Sequence, residues 1–146
     1  MPIRMPSLAA IRRVCQDDSM PDGQLRLLFV RDGARVGLVQ RASESANNAD
    51  QFLARYLVDM INDVAAPGVV VAVSRHDGRA THSDRQLWSM LGELLAPTTT
   101  TLLDVVAIGS KRVWSVRRAR PLNAPRRARA GQHRAGRRSA SRAAAR

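Results

Sequence analysis

The chain has 146 residues and a net charge of +12, from 24 Lys and Arg against 12 Asp and Glu. That length suits one domain. No apolar run approaches the 18 residues of a membrane span. Residues 1–10 lack the charged stretch followed by an apolar stretch that is typical of a secretory signal. The single cysteine excludes an intramolecular disulfide and a cysteine-based zinc knuckle. We therefore expect a cytoplasmic protein without a membrane partner.

The charge is concentrated at one end of the chain. Residues 117–146 hold 11 arginines and no acid, whereas residues 1–116 hold 13 basic and 12 acidic residues, a net of +1. Apart from Leu122, the basic end lacks large apolar residues, so it cannot bury a core. The sequence predicts a nearly neutral domain followed by a disordered basic tail over residues 117–146.

The first predicted elements are a short helix and a hairpin. Within residues 1–22, a weakly structured segment, Ser7 is placed to cap a helix over Leu8–Cys15. Two apolar runs flank Asp32-Gly33, and this pattern indicates a β-hairpin over residues 25–39 because glycine accepts a positive φ at the turn.

The clearest helix follows a polar stretch at residues 40–48. Asn48 is expected at the N-cap, with Gln51 three residues later in the spacing of a capping box. Apolar residues then recur at steps of three and four, which predicts one buried helix face: Phe52, Leu53, Tyr56, Leu57, Met60, Ile61 and Val64. Pro67-Gly68 ends the helix.

A buried strand, a second helix and two further strands complete the domain. The β-branched run Val69–Val73 has no polar alternation, which is typical of a strand covered on both faces. Ser83 is expected at the N-cap of the second helix, which turns five apolar residues inward: Leu87, Met90, Leu91, Leu94 and Leu95. Strands are predicted at Leu102–Ile108 and Arg112–Val116. The resulting order predicts an α/β fold over residues 23–116, a small mixed sheet flanked by two helices.

Two stretches of this domain resemble the JAB/MPN domain of RadC-type proteins. The strand Val69–Val73 runs into a loop with a histidine and then a Thr-x-Ser helix start at Thr81–Ser83. The segment Leu102–Gly109 (LLDVVAIG) is similar to the family's LLDHxIxG segment. The resemblance covers roughly residues 22–116. It implies a JAB/MPN-like fold and a bacterial DNA-repair or mobile-element setting.

The family's metal site is matched only in part. The resemblance implies a zinc ion held by two His and one Asp in an HxH-P…S-x-x-D pattern, with a glutamate that activates water. His76 matches the second histidine, but Ser74 stands at the first histidine and Gln86 at the aspartate. Asp22 is the nearest acid to the glutamate position. We therefore assign no catalytic residue and expect a non-catalytic interaction module without a cofactor.

A second set of residues leaves an enzyme open. His76, Asp77, His82 and Asp84 lie within nine positions, and mixed histidine and carboxylate ligands suit zinc. They can bind a metal only if the loop folds back so that both imidazoles face one point; otherwise they are solvated loop residues. The alternative function is a divergent zinc-dependent hydrolase of the JAB-type metalloprotease kind.

Two further residues leave alternatives open. Cys15 lies beside Arg12 and Arg13. Either these arginines lower the pKa of its thiol, or Cys15 is a small apolar residue on a helix face. Asp104 lies within a predicted strand, where its carboxylate either has a function or bonds to neighbouring backbone groups.

The basic tail is the strongest signal for a partner. When a flexible polycation binds nucleic acid, counterions are released from the nucleic acid. Arginine forms paired hydrogen bonds with phosphate oxygens, and these contacts do not depend on the base sequence. The expected nucleic-acid-binding residues are Arg117, Arg118, Arg120, Arg126, Arg127, Arg129, Arg134, Arg137, Arg138 and Arg142. Another polyanion fits equally well, and the α/β domain is a candidate to bind a protein partner. Two alternatives stay open: a structural protein of unknown role, and an arginine content that reflects a high-GC genome.

Overall fold

The computed structural model describes residues 2–15 and 20–122, and these form a mixed α/β fold. The elements in chain order are α1 (Leu8–Cys15), β1 (Gln24–Val30), β2 (Val36–Ser45), a short 3-10 helix (Ala46–Asn48), α2 (Gln51–Val64), β3 (Gly68–Ser74), α3 (His82–Leu95), β4 (Thr101–Ile108), β5 (Val113–Ser115) and β6 (Arg120–Pro121). Within these ranges, no helix is both long enough and apolar enough to cross a membrane.

The six strands form one sheet in the order β2-β1-β3-β4-β5-β6. β3 and β4 are parallel, and the other neighbouring strands are antiparallel. The connection from β3 to β4 passes through α3, as a parallel pair requires. The carboxyl ends of β3 and β4 therefore lie side by side at one end of the sheet.

Helices cover both faces of the sheet. α2 and α3 pack Leu57 and Leu91 against residues such as Phe29 on one face, whereas α1 packs Ile11 against Val70 on the other. This two-sided cover buries β3 along its whole apolar length, as its β-branched run predicts. The sequence predicted two helices around the sheet. The described residues contain three α-helices, and the additional one is the short helix predicted at Leu8–Cys15.

The N-caps of both long helices differ from the predicted ones. α2 is capped by Asp50, whose Oδ1 accepts a hydrogen bond from the Leu53 N–H at 2.9 Å. Asn48 is unsuited to this role because it belongs to the preceding 3-10 helix. α3 is capped by Thr81 instead of Ser83, with Asp84 completing a capping box.

Two other local predictions are corrected by the structure. The polar residues 40–45 form the second half of β2. This strand lies at the edge of the sheet and exposes most of its side chains to solvent, so its sequence does not need to alternate between apolar and polar residues. In α2 the buried face includes Ala54, whereas Phe52 is 73% exposed. The apolar stripe is therefore rotated relative to the predicted one.

The sheet also continues beyond Val116. Residues 117–119 form a turn, and β6 pairs with β5 through Trp114↔Pro121 and Ser115↔Arg120. The first six residues of the predicted tail, 117–122, are thus part of the folded domain. Residues 123–146, on which the rest of the predicted tail falls, lie outside the described residues.

Candidate functional site

The residue that follows β3, Arg75, forms an ion pair inside the domain. Its Nε and Nη2 donate to the two carboxylate oxygens of Asp84 at 3.1 and 2.6 Å. Arg75 is 5% exposed and Asp84 is fully buried. A planar guanidinium matches the two oxygens of a carboxylate, so this geometry is the strong form of an arginine–carboxylate pair.

The same guanidinium connects three other parts of the chain. Nη1 donates to Asn47 Oδ1 at 2.7 Å and to Asp22 Oδ2 at 3.1 Å. Nη2 also donates to Thr81 Oγ1 at 3.3 Å. Arg75 therefore ties together the segment before β1, the 3-10 helix and the start of α3.

The charge of Arg75 is retained despite its burial. Burial by itself lowers the pKa of the guanidinium, but the hydrogen bonds and charges of Asp84 and Asp22 more than offset this, and the net pKa is raised. Removing one member of such a pair leaves the other charge buried without compensation. The cluster is consequently a structural anchor for the loop that follows β3.

The loops after β3 and β4 contact each other backbone to backbone. A Cβ atom on Gly109 would lie 2.6 Å from the Gly78 nitrogen, and one on Gly78 would lie 2.5 Å from the Arg112 carbonyl oxygen. Gly78 also has φ of +63°, a conformation that side chains disfavour. These two glycines allow the carboxyl ends of the parallel strands to approach closely.

A cleft of about 470 Å³ opens at this end of the sheet, between α1 and the two loops. It is lined by Arg12, Cys15, Met20, Asp22, Ser74, Arg75, His76, Ile108, Gly109 and Ser110. The carboxyl ends of parallel strands are where α/β sheets commonly bind ligands, and the volume is within the range of small-molecule sites.

The Cys15 thiol in this cleft is not activated. Burial raises the pKa of the thiol, and the hydrogen bond and charge of Arg26 offset this only in part. Cys15 packs at the edge of the apolar cluster formed around Ile11. Both observations agree with the interpretation of Cys15 as a small apolar residue and not with a lowered pKa of its thiol.

The four candidate metal ligands are distributed over different environments. His76 is exposed in the 470 Å³ cleft, where its backbone N–H donates to Asp22 Oδ1 at 3.2 Å. His82 begins α3 and lines a separate cavity of about 340 Å³. Asp77 is exposed and its Oδ1 accepts from the Arg79 N–H at 3.0 Å. The loop does not bring the four side chains to a common point.

Asp84 differs from the other three because both of its oxygens are already occupied. In addition to Arg75, Oδ2 accepts from the Thr81 N–H at 2.9 Å. Within residues 2–15 and 20–122, no group of three His, Cys, Asp or Glu side chains is placed to hold a metal ion. The residues present therefore do not fit the zinc site that the family resemblance implies.

The Asp104 carboxylate forms hydrogen bonds that hold the turn after β5, where the arginine-rich residues begin. Its Oδ2 accepts from Ser115 Oγ at 2.5 Å and its Oδ1 from the Arg117 N–H at 2.9 Å. Ser115 Oγ in turn accepts from the Arg118 N–H at 3.0 Å. Of the two roles that the sequence left open, the structure shows the bonding of neighbouring backbone groups.

The candidate nucleic-acid-binding arginines are described only in part. Arg117, Arg118 and Arg120 are exposed on the turn between β5 and β6 and on β6 itself. The other seven lie outside the described residues: Arg126, Arg127, Arg129, Arg134, Arg137, Arg138 and Arg142.

Sequence reasoning missed Arg75, the most connected polar residue of the site. One local signal was available, because Thr81 and Asp84 have the spacing of a capping box and so mark an acid near the end of β3. The other partners of Arg75 are distant in sequence and carry no comparable signal.

Comparison with known proteins adds no assignment. No protein-family model matches the chain, and no curated protein matches it.

Proposed function

We propose that this chain is a non-catalytic interaction module of the RadC/JAB type that binds nucleic acid non-specifically through its arginine-rich carboxyl-terminal segment in the cytoplasm. The observation that carries the proposal is the separation of charge. Residues 117–146 contribute +11 of the net +12, and residues 1–116 contribute +1.

Polyelectrolyte physics supports this partner. Each arginine that neutralises a phosphate releases condensed counterions, so binding is favourable and decreases steeply with salt. Phosphate contacts position a protein on a strand without identifying the bases. An arginine-rich segment without a patterned set of aromatic residues is therefore expected to bind many sequences with similar affinity.

The interior carboxylates of the domain support a non-catalytic role. Asp84 is held in the ion pair with Arg75, and Asp104 is hydrogen-bonded to Ser115 and to the backbone of Arg117. Both are thereby engaged in holding loops in place. In the described residues, these are the two buried carboxylates, and neither is available to a substrate.

The test uses the full chain and fluorescein-labelled 20-mer oligonucleotides, with binding followed by anisotropy over a series of salt concentrations. In one variant, the seven arginines from Arg126 to Arg142 are replaced by glutamine. In the matched control they are replaced by lysine, which keeps the charge and removes the planar fork.

We expect the glutamine variant to lose affinity and to reduce the slope of log K against log salt by up to about 5 on single-stranded DNA, at about 0.7 per lost phosphate contact. The lysine variant should keep most of the slope. Equal binding by the glutamine variant and the wild-type chain would overturn the proposal.

A further inference from the structure

Leu122 is the last described residue of the arginine-rich segment, and its backbone is held at one end of the sheet. The Leu122 N–H donates to the Val113 carbonyl oxygen at 2.7 Å, and Val113 pairs with Ile108 at the carboxyl end of β4. The adjacent turn is closed by the Gly109 N–H, which donates to the Arg112 carbonyl oxygen at 2.8 Å. Leu122, the last described residue, therefore lies at the same end of the sheet as the 470 Å³ cleft.

We use the name basic rim for three of the basic side chains at this end: Arg12, Lys111 and Arg112. Lys111 is exposed on the turn after β4, and Arg112 follows it half-buried. Arg12 reaches this turn from α1, since its Nη1 donates to the Ser110 carbonyl oxygen at 3.4 Å. Among the described residues, the hydrogen-bond partner of the Arg12 guanidinium is thus a neutral carbonyl and not a carboxylate.

The described acids near the rim do not cancel its charge. Asp22 lines the cleft, and together with Arg75 and Asp84 it forms a group with a net charge of −1, which offsets one of the three rim charges. Asp77 lies on the adjacent loop, where its carboxylate accepts a hydrogen bond from the backbone N–H of Arg79. Arg79 is exposed and carries the opposite charge. Among the described residues, this end of the sheet is therefore net positive.

We propose that the basic rim is a second phosphate-binding surface, which holds the same nucleic-acid strand as the arginine-rich segment. This inference rests on the proposed function and adds a docking surface on the folded domain. Because Leu122 lies at the end of the sheet that carries the rim, the rest of the segment is linked to the rim by the chain itself, and a strand bound by one is presented to the other at high effective concentration. The two together bind more tightly than either alone.

The test compares two triple variants of the full chain that remove the same charge. The rim variant is Arg12→Gln, Lys111→Gln and Arg112→Gln. The control variant is Arg4→Gln, Arg31→Gln and Arg35→Gln, three exposed arginines at the β1–β2 turn, where the Arg4 N–H donates to the Gly33 carbonyl oxygen at 2.7 Å. The β1–β2 turn is at the opposite end of the sheet, because Val30 pairs with Gly68 at the start of β3.

We expect the rim variant to reduce the slope of log K against log salt on a single-stranded 20-mer by about 2. Its affinity at 0.1 M salt should fall on the order of 100-fold. The control variant should keep the slope of the wild-type chain. A third variant, Arg12→Lys with Arg112→Lys, retains the charge and should retain the slope, which separates loss of charge from disturbed packing. Unfolding curves of all variants verify that each is folded.

Each outcome has one meaning. If the rim and control variants bind alike, the rim is not a docking surface, although the arginine-rich segment still binds. If the wild-type chain itself does not bind nucleic acid, the proposed function fails and the rim proposal fails with it. A loss of slope in the rim variant alone supports the second surface.

Discussion

Arg75 and Asp84 form a two-point ion pair, with donor–acceptor distances of 3.1 and 2.6 Å, in which neither side chain is more than 5% exposed. The pair connects the end of β3 to the first turn of α3. It therefore fixes the loop that carries His76 and Asp77, the two candidate ligands nearest the cleft. The Asp84 carboxylate thus helps to hold this loop in position.

Replacing Arg75 with methionine should destabilise the domain strongly. The change leaves Asp84 buried without its counterion, and breaking a buried pair costs about 3–5 kcal/mol. We expect this loss in the free energy of unfolding, measured in urea. Arg79→Met is the control, since Arg79 is exposed on the same loop and its replacement should change stability by less than about 0.5 kcal/mol.

The double variant Arg75→Met, Asp84→Asn separates the orphaned charge from the lost packing. Asparagine has no charge and keeps a side-chain oxygen to accept the capping hydrogen bond from the Thr81 N–H. The double variant should therefore lose less stability than the sum of the two single variants. Additive losses would show that the ion pair does not couple the two residues.

Substituting alanine at Gly109 should weaken the contact between the two loops. The new Cβ would lie 2.6 Å from the Gly78 nitrogen, which is backbone and cannot move aside cheaply. We expect a loss of about 1–3 kcal/mol in the free energy of unfolding.

Gly92→Ala is the matched control for that substitution. Gly92 lies in α3, and a Cβ there would meet nothing within 4 Å. Alanine in a helix interior is favoured over glycine, so this variant should gain about 0.5–1 kcal/mol. Changes of the same sign in both variants would contradict the assigned role of Gly109.

The sequence predicts those elements whose apolar pattern is local. The run Val69–Val73 is continuous because helices cover both sides of β3, and the range of α1 follows from a cap and a short amphipathic stretch. Residues 40–45 lack such a pattern, because an edge strand gains its hydrogen bonds from one neighbour and exposes most side chains. Polar edge strands therefore resemble loops in sequence.

The positions of the caps and of Arg75 depend on the tertiary structure. Asn48 and Asp50 are both good cap residues, and so are Thr81 and Ser83. The Asp84 carboxylate that completes the Thr81 capping box is itself fixed by Arg75. The other partners of Arg75 include Asp22 and Asn47, which are 53 and 28 positions away in sequence. No local pattern reports contacts of that separation.

Zinc analysis tests whether the alternative hydrolase has any basis. We expect the full chain, purified without a tag or chelator, to contain substoichiometric zinc, because Asp84 is bound to Arg75 and the two candidate histidines, His76 and His82, line different cavities. His76→Ala should leave the metal content unchanged. One zinc per wild-type chain that is lost in His76→Ala would instead support a metal site and a hydrolase.

The Asp104 carboxyl should give the domain a pH-dependent stability. Burial raises its pKa, and hydrogen bonds from Ser115 and from the backbone of Arg117, with smaller contributions from Val105 and from the charge of Arg117, offset this in part. A carboxyl whose pKa is higher in the folded than in the unfolded state stabilises the fold fully below the unfolded value of about 4. That contribution is lost as the pH rises through the raised value of the folded state.

Asp104→Asn isolates this effect because asparagine cannot titrate and its side-chain oxygen can still accept from the Arg117 N–H. Relative to this variant, the wild-type free energy of unfolding should fall as the pH is raised from about 3 to 7. Asp59→Asn, at an exposed position on α2, corrects for a general change in charge. A wild-type-minus-variant difference that is flat with pH would show that the Asp104 carboxyl keeps its ordinary pKa, and one that rises with pH would show that its pKa is lowered; either result would contradict the prediction.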